Sequence, residues 1–334
     1  SPPACDVVAV GGGWAGVYFA YRTAVAGSQV CLFEATQRIG GRTFSHIFKL
    51  GRRAENFTLD VGAYRFTPDM HLPGDLILKV LNLPTACYEP DCAPADKEFP
   101  SPFKFNYSAP LRRIVDAEGM PAGYVTAIHG LVDKIRSLGG RVFLGERLLD
   151  LEPTESGANL VFANFTVSAK QVLLNLPRPS LLALPSLAAA TAMRTALMQA
   201  CVKFDMPPDF FPGGMFVGKS LTKAYAFYED AWWHTKLNKT EGQWPKDAFD
   251  PVLTSQGVPI GVHFNDGPVR CDAPGRGCRG FLQVFYSIAD TGFFTGLRQD
   301  PEHPLALLTP DADSEGKLPL LHAAVLEALR PLFE

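Results

Sequence analysis

Val7–Val10 forms a short apolar run that passes through glycines into an amphipathic stretch from Trp14 to about Ala26. A second apolar run, Val30-Cys31-Leu32-Phe33, ends at Glu34, so the N-terminus predicts a strand–turn–helix–strand unit. Leu76, Ile77, Val80 and Leu81 then have helical spacing, before Pro84, Pro90, Pro94, Pro100 and Pro102 mark irregular connections. Regular alternation returns with a helix over 124–138, which leads through Gly139-Gly140 into the strand Arg141–Leu144. Strands are predicted next at 148–151, 160–165 and 171–175. The most apolar stretch, 181–202, is interrupted by Pro185, Arg194 and Gln199, and reads as buried or amphipathic helix rather than a membrane span. Beyond it come an aromatic strand at 223–228, a strand at 280–286, and a helix carrying Leu320, Leu321, Ala324, Val325, Ala328 and Leu329 on one period.

The glycines between the first strand and helix have the spacing Gly11-x-Gly13-x-x-Gly16, with Glu34 closing the second strand. This is the dinucleotide-binding fingerprint in its required context. Gly11 permits the tight turn, Gly13 lets backbone approach a pyrophosphate, and Gly16 lets helix pack on strand. The helix start directs its N–H groups and dipole at the phosphates. Glu34 is placed to accept hydrogen bonds from a ribose 2′-OH, which favours an unphosphorylated adenosine ribose.

Composition narrows the class. At 334 residues, with 47% hydrophobic and 19% charged positions, two interleaved domains with ample core are expected. A net charge of −3 argues against nucleic acid or anionic membranes as main partners. The chain begins at Ser1 without a signal sequence, which suggests processing or truncation. Asn56, Asn106, Asn164 and Asn238 each begin a glycosylation sequon. Cys87/Cys92 and Cys271/Cys278 lie in loop-like stretches and are spaced to close small disulfide loops. That spacing also suits metal ligation, but neither pair has a companion pair or a nearby histidine set, so no metal site is expected. Cys5, Cys31 and Cys201, in apolar settings, are expected as buried thiols. Sequons and cysteines together predict a secreted or lumenal protein.

After the ribose acid, Glu34-Ala35-Thr36-Gln37-Arg38-Ile39-Gly40-Gly41-Arg42-Thr43 resembles the second glycine motif of FAD-dependent amine oxidases. In physical terms, Gly40 and Gly41 let a loop hug the diphosphate while Arg38 and Arg42 neutralise it. The resemblance implies FAD rather than NAD, and an α/β fold in which a Rossmann-like FAD-binding domain is interleaved with an α+β substrate-binding domain. On that basis residues 1–70 and 126–180 form FAD-domain segments, 71–125 a helical substrate region, and 181–334 the substrate domain. A third FAD segment, present in the family, has no match here, which predicts either a second polypeptide supplying it or a loss from this chain. Leu148 falls where the family meets adenine with a strand residue, or is a strand core residue.

The run Leu59-Asp60-Val61-Gly62-Ala63-Tyr64-Arg65-Phe66 resembles the family segment beneath the flavin ring, where Gly62 and Ala63 permit close backbone approach. Arg65 stands where L-amino-acid oxidases carry an arginine that pairs with the substrate carboxylate, and where amine and polyamine oxidases usually carry none. The alternative is a surface ion pair of Arg65 with Asp60 or Asp69. Residues 222–233 resemble the family strand that opens with a lysine and ends in an aromatic–Trp pair. Carried over, Lys223 holds a water against flavin N5 and its charge assists oxygen reduction; otherwise it is a solvated strand-start lysine. Trp232 and Trp233 read as core aromatics rather than direct substrate contacts, and His46, His129 and His234 have no partner at metal-ligand spacing.

The expected activity is therefore an FAD-dependent oxidative deamination of L-amino acids to 2-oxo acids, ammonia and hydrogen peroxide, with oxygen as acceptor. The rivals are an amine or polyamine oxidase, and a non-catalytic flavin-binding subunit of a split protein.

Overall fold

In this computed structural model the described residues are 3–68, 70–88, 111–189, 221–246, 251–287, 291–297, 305, 307–313 and 315–333. In chain order they begin β1 (Val7–Val10), α1 (Trp14–Val25), β2 (Val30–Glu34), β3 (Ser45–Leu50), β4 (Glu55–Asp60) and α2 (His71–Asp75). Next come β5 (Thr85–Cys87), β6 (Arg112–Ile114), α3 (Val125–Ser137), β7 (Arg141–Leu144), β8 (Asp150–Thr154), β9 (Gly157–Val161), β10 (Thr166–Ala169) and β11 (Gln171–Leu174). Two short helices follow, α4 (Arg178–Leu182) and α5 (Pro185–Ala189). The remainder contains β12 (Thr222–Tyr228), α6 (Trp232–Thr235), β13 (Gln243–Trp244), β14 (Val252–Leu253), β15 (Pro259–Ile260), β16 (Val262–His263), β17 (Val269–Arg270), β18 (Arg279–Ser287), α7 (Gly292–Gly296) and α8 (Lys317–Leu329).

These residues fall into two compact units. Described residues of Ser1–Ser45, Gly62–Cys87 and Asp91–Val217 make the first; those of His46–Val61, Tyr88–Pro90 and Gly218–Glu334 make the second. The β3–β4 pair, which the sequence placed in the first nucleotide-binding segment, thus groups with the second unit. Its apolar side explains why: Phe48, Phe57 and Leu59 form one core cluster with Phe281 of β18.

The first unit is built on a parallel sheet of order β11-β1-β2-β7. Its central strands β1 and β2 are almost wholly buried, as unbroken apolar runs in a parallel sheet must be. Against them lie α1 and α3. In α3 the buried positions Ala127, Ile128, Leu131, Val132 and Ile135 repeat at three and four residues, giving one apolar stripe. Leu76 and Ile77 are also buried, but the predicted helix there is α2 running into a π-helical turn, Leu76–Val80. A three-stranded antiparallel sheet, β10-β9-β8, completes the unit. Its strands are displaced from the predicted positions: 148–149 is irregular, and β8 begins at Asp150.

The second unit centres on the sheet β12-β18-β16-β13, with β17 also on β18. Val262, Leu282, Val284 and Phe285 join Trp232, Trp233, Ala324, Val325 and Leu329 in its main core. Trp233 is fully buried, consistent with a core role. Of the predicted helical stretch 181–202, the part from residue 190 onward lies outside the described residues. No helix among the described residues is long and apolar enough to cross a membrane.

Cys5 and Cys31, expected as free thiols, are instead joined in a disulfide. Cys31 lies in β2 beside β1, and Cys5 just precedes β1, so parallel pairing brings their Cα atoms to 5.8 Å. Cys271 and Cys278 are also joined. Cys87 is disulfide-bonded, while Cys92 and Cys201 lie outside the described residues. Asn56, Asn164 and Asn238 are exposed; Asn106 lies outside the described residues.

Candidate functional site

In the first unit the three glycines have three different reasons to be glycine. Gly11 has φ +102°, and a Cβ there would stand 2.2 Å from the Asn175 carbonyl oxygen. At Gly16 a Cβ would stand 2.0 Å from the Gly11 carbonyl oxygen, so the close approach of α1 to the turn requires hydrogen there. Gly13 differs. Its φ of −80° suits any residue, and an added Cβ would meet only Asn175 Nδ2, at 3.4 Å. The polypeptide itself therefore does not demand glycine at 13; the space beside it suits a ligand that must touch backbone. No side chain caps α1 and no acid occupies its first turn, which leaves its N–H groups directed at that space.

Glu34, at the end of β2, is tied to this loop. Its carboxylate accepts the Gly12 N–H at 2.8 Å and both the N–H and hydroxyl of Thr36, at 2.9 and 2.8 Å. These bonds orient the carboxylate and leave further acceptor capacity for ribose hydroxyls. Gly40 donates its N–H to the Gly12 carbonyl at 2.8 Å, so the second glycine loop runs against the first. Gly40 and Gly41 both have positive φ, +118° and +57°. Arg38 is half-buried with its guanidinium 4.6 Å over the Phe44 ring. Burial lowers its pKa from the ordinary arginine value, partly opposed by the nearby Glu34 carboxylate. Its Nη1 is buried with no hydrogen-bond partner. A buried guanidinium with an unspent donor suits an anionic ligand. Arg42 is exposed. An orphaned cationic donor, an uncapped helix start and an open position at Gly13 together fit a diphosphate.

Beyond Arg42 the chain meets the segment 62–66. Gly62 donates to the Phe44 carbonyl at 2.9 Å and Ala63 to the Arg42 carbonyl at 3.2 Å. A Cβ at Gly62 would be 2.0 Å from the Arg42 carbonyl oxygen, so glycine here serves chain-to-chain packing. Phe66, fully buried, exchanges two backbone hydrogen bonds with Arg112, at 3.0 and 2.8 Å. Arg65 is thus held between two anchored residues, half-buried, with its guanidinium 4.7 Å over the Tyr64 ring. Asp69, one of its alternative partners, lies outside the described residues. Leu148 is buried in the core cluster with Val8, Phe33 and Leu160. Its side chain therefore has the packing role, and any part in nucleotide binding falls to its backbone.

The second unit carries a polar face on its central sheet. Tyr225, Gln283 and His263 pair in register across β12, β18 and β16. A bulge between Ala224 and Tyr225 shifts the register by one residue, which returns Tyr286 to the same face, opposite Lys223. Gln283 donates to the Tyr225 hydroxyl at 2.7 Å, and Tyr225 donates to the Asp60 carbonyl at 3.3 Å. Lys223 reaches the same carbonyl at 3.4 Å, with its ammonium 5.3 Å over the Tyr286 ring. Its surroundings are therefore polar protein rather than bulk solvent.

His263 is 5% exposed and lies 3.6 Å from the fully buried carboxylate of Asp266, which also accepts the Tyr88 hydroxyl. Asp266 is thus interior, while Arg270 on β17 donates to the Asn56 carbonyl at 3.1 Å. Sequence reasoning missed His263, Gln283 and Tyr286. The available signal was Gln283 inside the otherwise apolar run 281–285, a polar residue that a buried strand tolerates only with a partner. Among the described residues, one trio of potential metal ligands gathers, His234, Cys271 and Cys278, within 4.8 Å. Its two sulfurs are joined in the disulfide and offer no thiolate.

Against known proteins, residues 10–72 match the NAD(P)-binding Rossmann-like domain family. Among curated proteins, none matches this sequence. Several solved structures share the fold. Putrescine oxidase bound to putrescine superposes with a TM-score of 0.54 at 17% identity, covering 99% of this chain and 83% of that one. Cyclohexylamine oxidase from Brevibacterium oxydans gives 0.56 at 14% identity, covering 97% and 82%. An oxidoreductase from Methanosarcina mazei gives 0.51 at 15% identity, covering 98% and 84%. The chain is an α/β protein with a dinucleotide-binding Rossmann-like domain and the fold of these amine oxidases.

Proposed function

We propose that this chain is an FAD-dependent oxidase that deaminates L-amino acids, turning amino acid, oxygen and water into 2-oxo acid, ammonia and hydrogen peroxide. The observation that carries the amino-acid assignment is Arg65, a half-buried guanidinium on a backbone anchored at Ala63 and Phe66. A planar fork held in this way matches a carboxylate in a bidentate pair and fixes the orientation of the substrate Cα–H. Gly11, Gly13, Gly16, Glu34, Arg38, Gly40, Gly41 and Arg42 would hold FAD, with the segment 62–65 nearby in sequence beneath its ring. When bound, FAD supplies the two-electron acceptor for the reaction. Carried over from the family strand, Lys223 would supply a positive charge that favours oxygen reduction. The imino acid released is hydrolysed by water without a dedicated side-chain base.

Exposed sequons and the two disulfides support a secreted or lumenal setting. A second reading, an amine oxidase in which Arg65 is structural, is favoured by the amines for which its structural relatives are named. Peroxide release with L-amino acids and with their decarboxylated amines separates the two. The Arg65→Ala variant should lose roughly thirtyfold or more in kcat/KM for the acids, the cost of truncating one member of a desolvated charge pair. Turnover of amines alone, unchanged in Arg65→Ala, would overturn the amino-acid reading.

A further inference from the structure

The two disulfides with both cysteines among the described residues stand in opposite environments. Cys5 and Cys31 are both buried, at 6% and 0% exposure, between and beside parallel strands. Cys271 faces solvent on the loop after β17, whereas its partner Cys278 is 1% exposed at the foot of β18. Beside the buried sulfur stands His234, whose Nδ1 lies 3.8 Å from Cys278 Sγ. Thiol–disulfide exchange needs three things: access to one sulfur, a stabilised leaving thiolate on the other, and a proton for it. The loop exposes Cys271, and at Cys278, whose core burial disfavours a thiolate, the neighbouring His234 ring is the group placed to protonate the leaving sulfur.

A fourth feature concerns what happens after opening. Asp272, next to Cys271, accepts two hydrogen bonds from Arg53, at 2.6 and 3.0 Å, and one from Arg279, next to Cys278, at 2.9 Å. An ionic clamp therefore spans the same two chain positions as the disulfide. Cutting the S–S bond leaves the two sulfurs held close, which favours closure again over release of the loop.

We propose that Cys271–Cys278 is a reversible thiol-exchange site for small dithiols, with His234 as the proton donor to the leaving Cys278 thiolate. A dithiol thiolate attacks Cys271 Sγ and forms a mixed disulfide. The Cys271–Cys278 bond breaks, its electron pair leaves on Cys278 Sγ, and the proton on His234 Nδ1 passes to that sulfur. The second thiolate of the dithiol then displaces Cys271, whose thiolate takes a proton from solvent, so the dithiol ends as a disulfide and the protein pair as two thiols. The inference is independent of the proposed oxidase activity.

The test treats the native protein with dithiothreitol at neutral pH, traps thiols by alkylation at intervals, and maps each cysteine by peptide mass. Cys271 and Cys278 should become alkylated at least about tenfold faster than Cys5 and Cys31, as access and leaving-group protonation predict. His234→Gln should slow the first pair about threefold or more while leaving the second pair protected, and that protection reports that the variant is folded. Asp272→Asn should slow reoxidation of the reduced pair in air. Equal rates for the two disulfides in the wild type, or an unchanged Cys271–Cys278 rate in folded His234→Gln, would overturn the proposal.

Discussion

Three glycines of one motif respond differently to the same methyl group. Gly11→Ala and Gly16→Ala each drive a Cβ far inside van der Waals contact with a backbone oxygen, so both should lower the melting temperature of the protein with or without FAD. Gly13→Ala meets nothing closer than 3.4 Å and keeps an ordinary φ. It should fold with an unchanged melting temperature yet bind FAD at least roughly tenfold more weakly, a loss of about 1.4 kcal/mol. Thermal melts paired with flavin-fluorescence titration check both halves; tight FAD binding by Gly13→Ala would remove the ligand-based reason for that glycine. The motif itself was legible in the sequence because spacing along one turn is local information. What was not legible is the neighbour that crowds Gly11, the Asn175 carbonyl, distant in sequence but adjacent in space.

At the scale of elements, the long apolar runs and the helix with a clean three–four repeat were predicted almost to the residue: β7 and α3 are examples. Leu131→Ala, on the buried stripe of α3, should cost about 2–5 kcal/mol of unfolding free energy, read by denaturant titration. The strands at 148–165 were misplaced because their residues are only partly buried and the alternation is weak. Bonds between elements were invisible altogether. Glu55, starting β4, pairs with Arg279, starting β18, and Arg279 also binds Asp272. The hydrogen bond from Arg279 holds the Glu55 carboxyl below its ordinary value, and those from Arg53 and Arg279 do the same for Asp272. A depressed carboxyl stabilises the fold at all pH values above its unfolded pKa, and that contribution disappears as pH falls through the lower folded pKa. Glu55→Gln should therefore be less stable than wild type at pH 7, with the difference closing below about pH 4. Melting curves across pH 3–7 measure this, and a gap that persisted at the acid end would exclude the linkage.

For the molecule as a whole, the disulfide between Cys5 and Cys31 closes a 26-residue separation that contains β1 and α1 and ends inside β2. Restricting a loop of that length in the unfolded chain is worth about 3.5 kcal/mol at 298 K on the chain-entropy model. Replacing both cysteines by alanine should lower stability by an amount of that order, measured by denaturant unfolding of the oxidised protein. Little or no loss would place the stabilisation of this unit in its apolar packing alone. The same scale holds the choice of substrate. The fold is shared with oxidases named for amines, and the residue that argues for amino acids, Arg65, is a single position on an anchored segment. Comparison of acids with their decarboxylated amines, in wild type and Arg65→Ala, decides between them.

By itself the sequence determined the Rossmann-like unit, its glycine loops, the acid that ends β2 and the direction of the helix dipole, because these are set by spacing within a few dozen consecutive residues. It also marked Arg65 and Lys223 as positions of interest. Tertiary structure alone decided that β3 and β4 leave the first unit for the second, and that two supposed thiols are one disulfide. It alone assembled the face of Lys223, Tyr225, Gln283, Tyr286 and His263. The physical reason is common to all three: strand pairing joins residues far apart in sequence, and a one-residue bulge decides which side chains share a face.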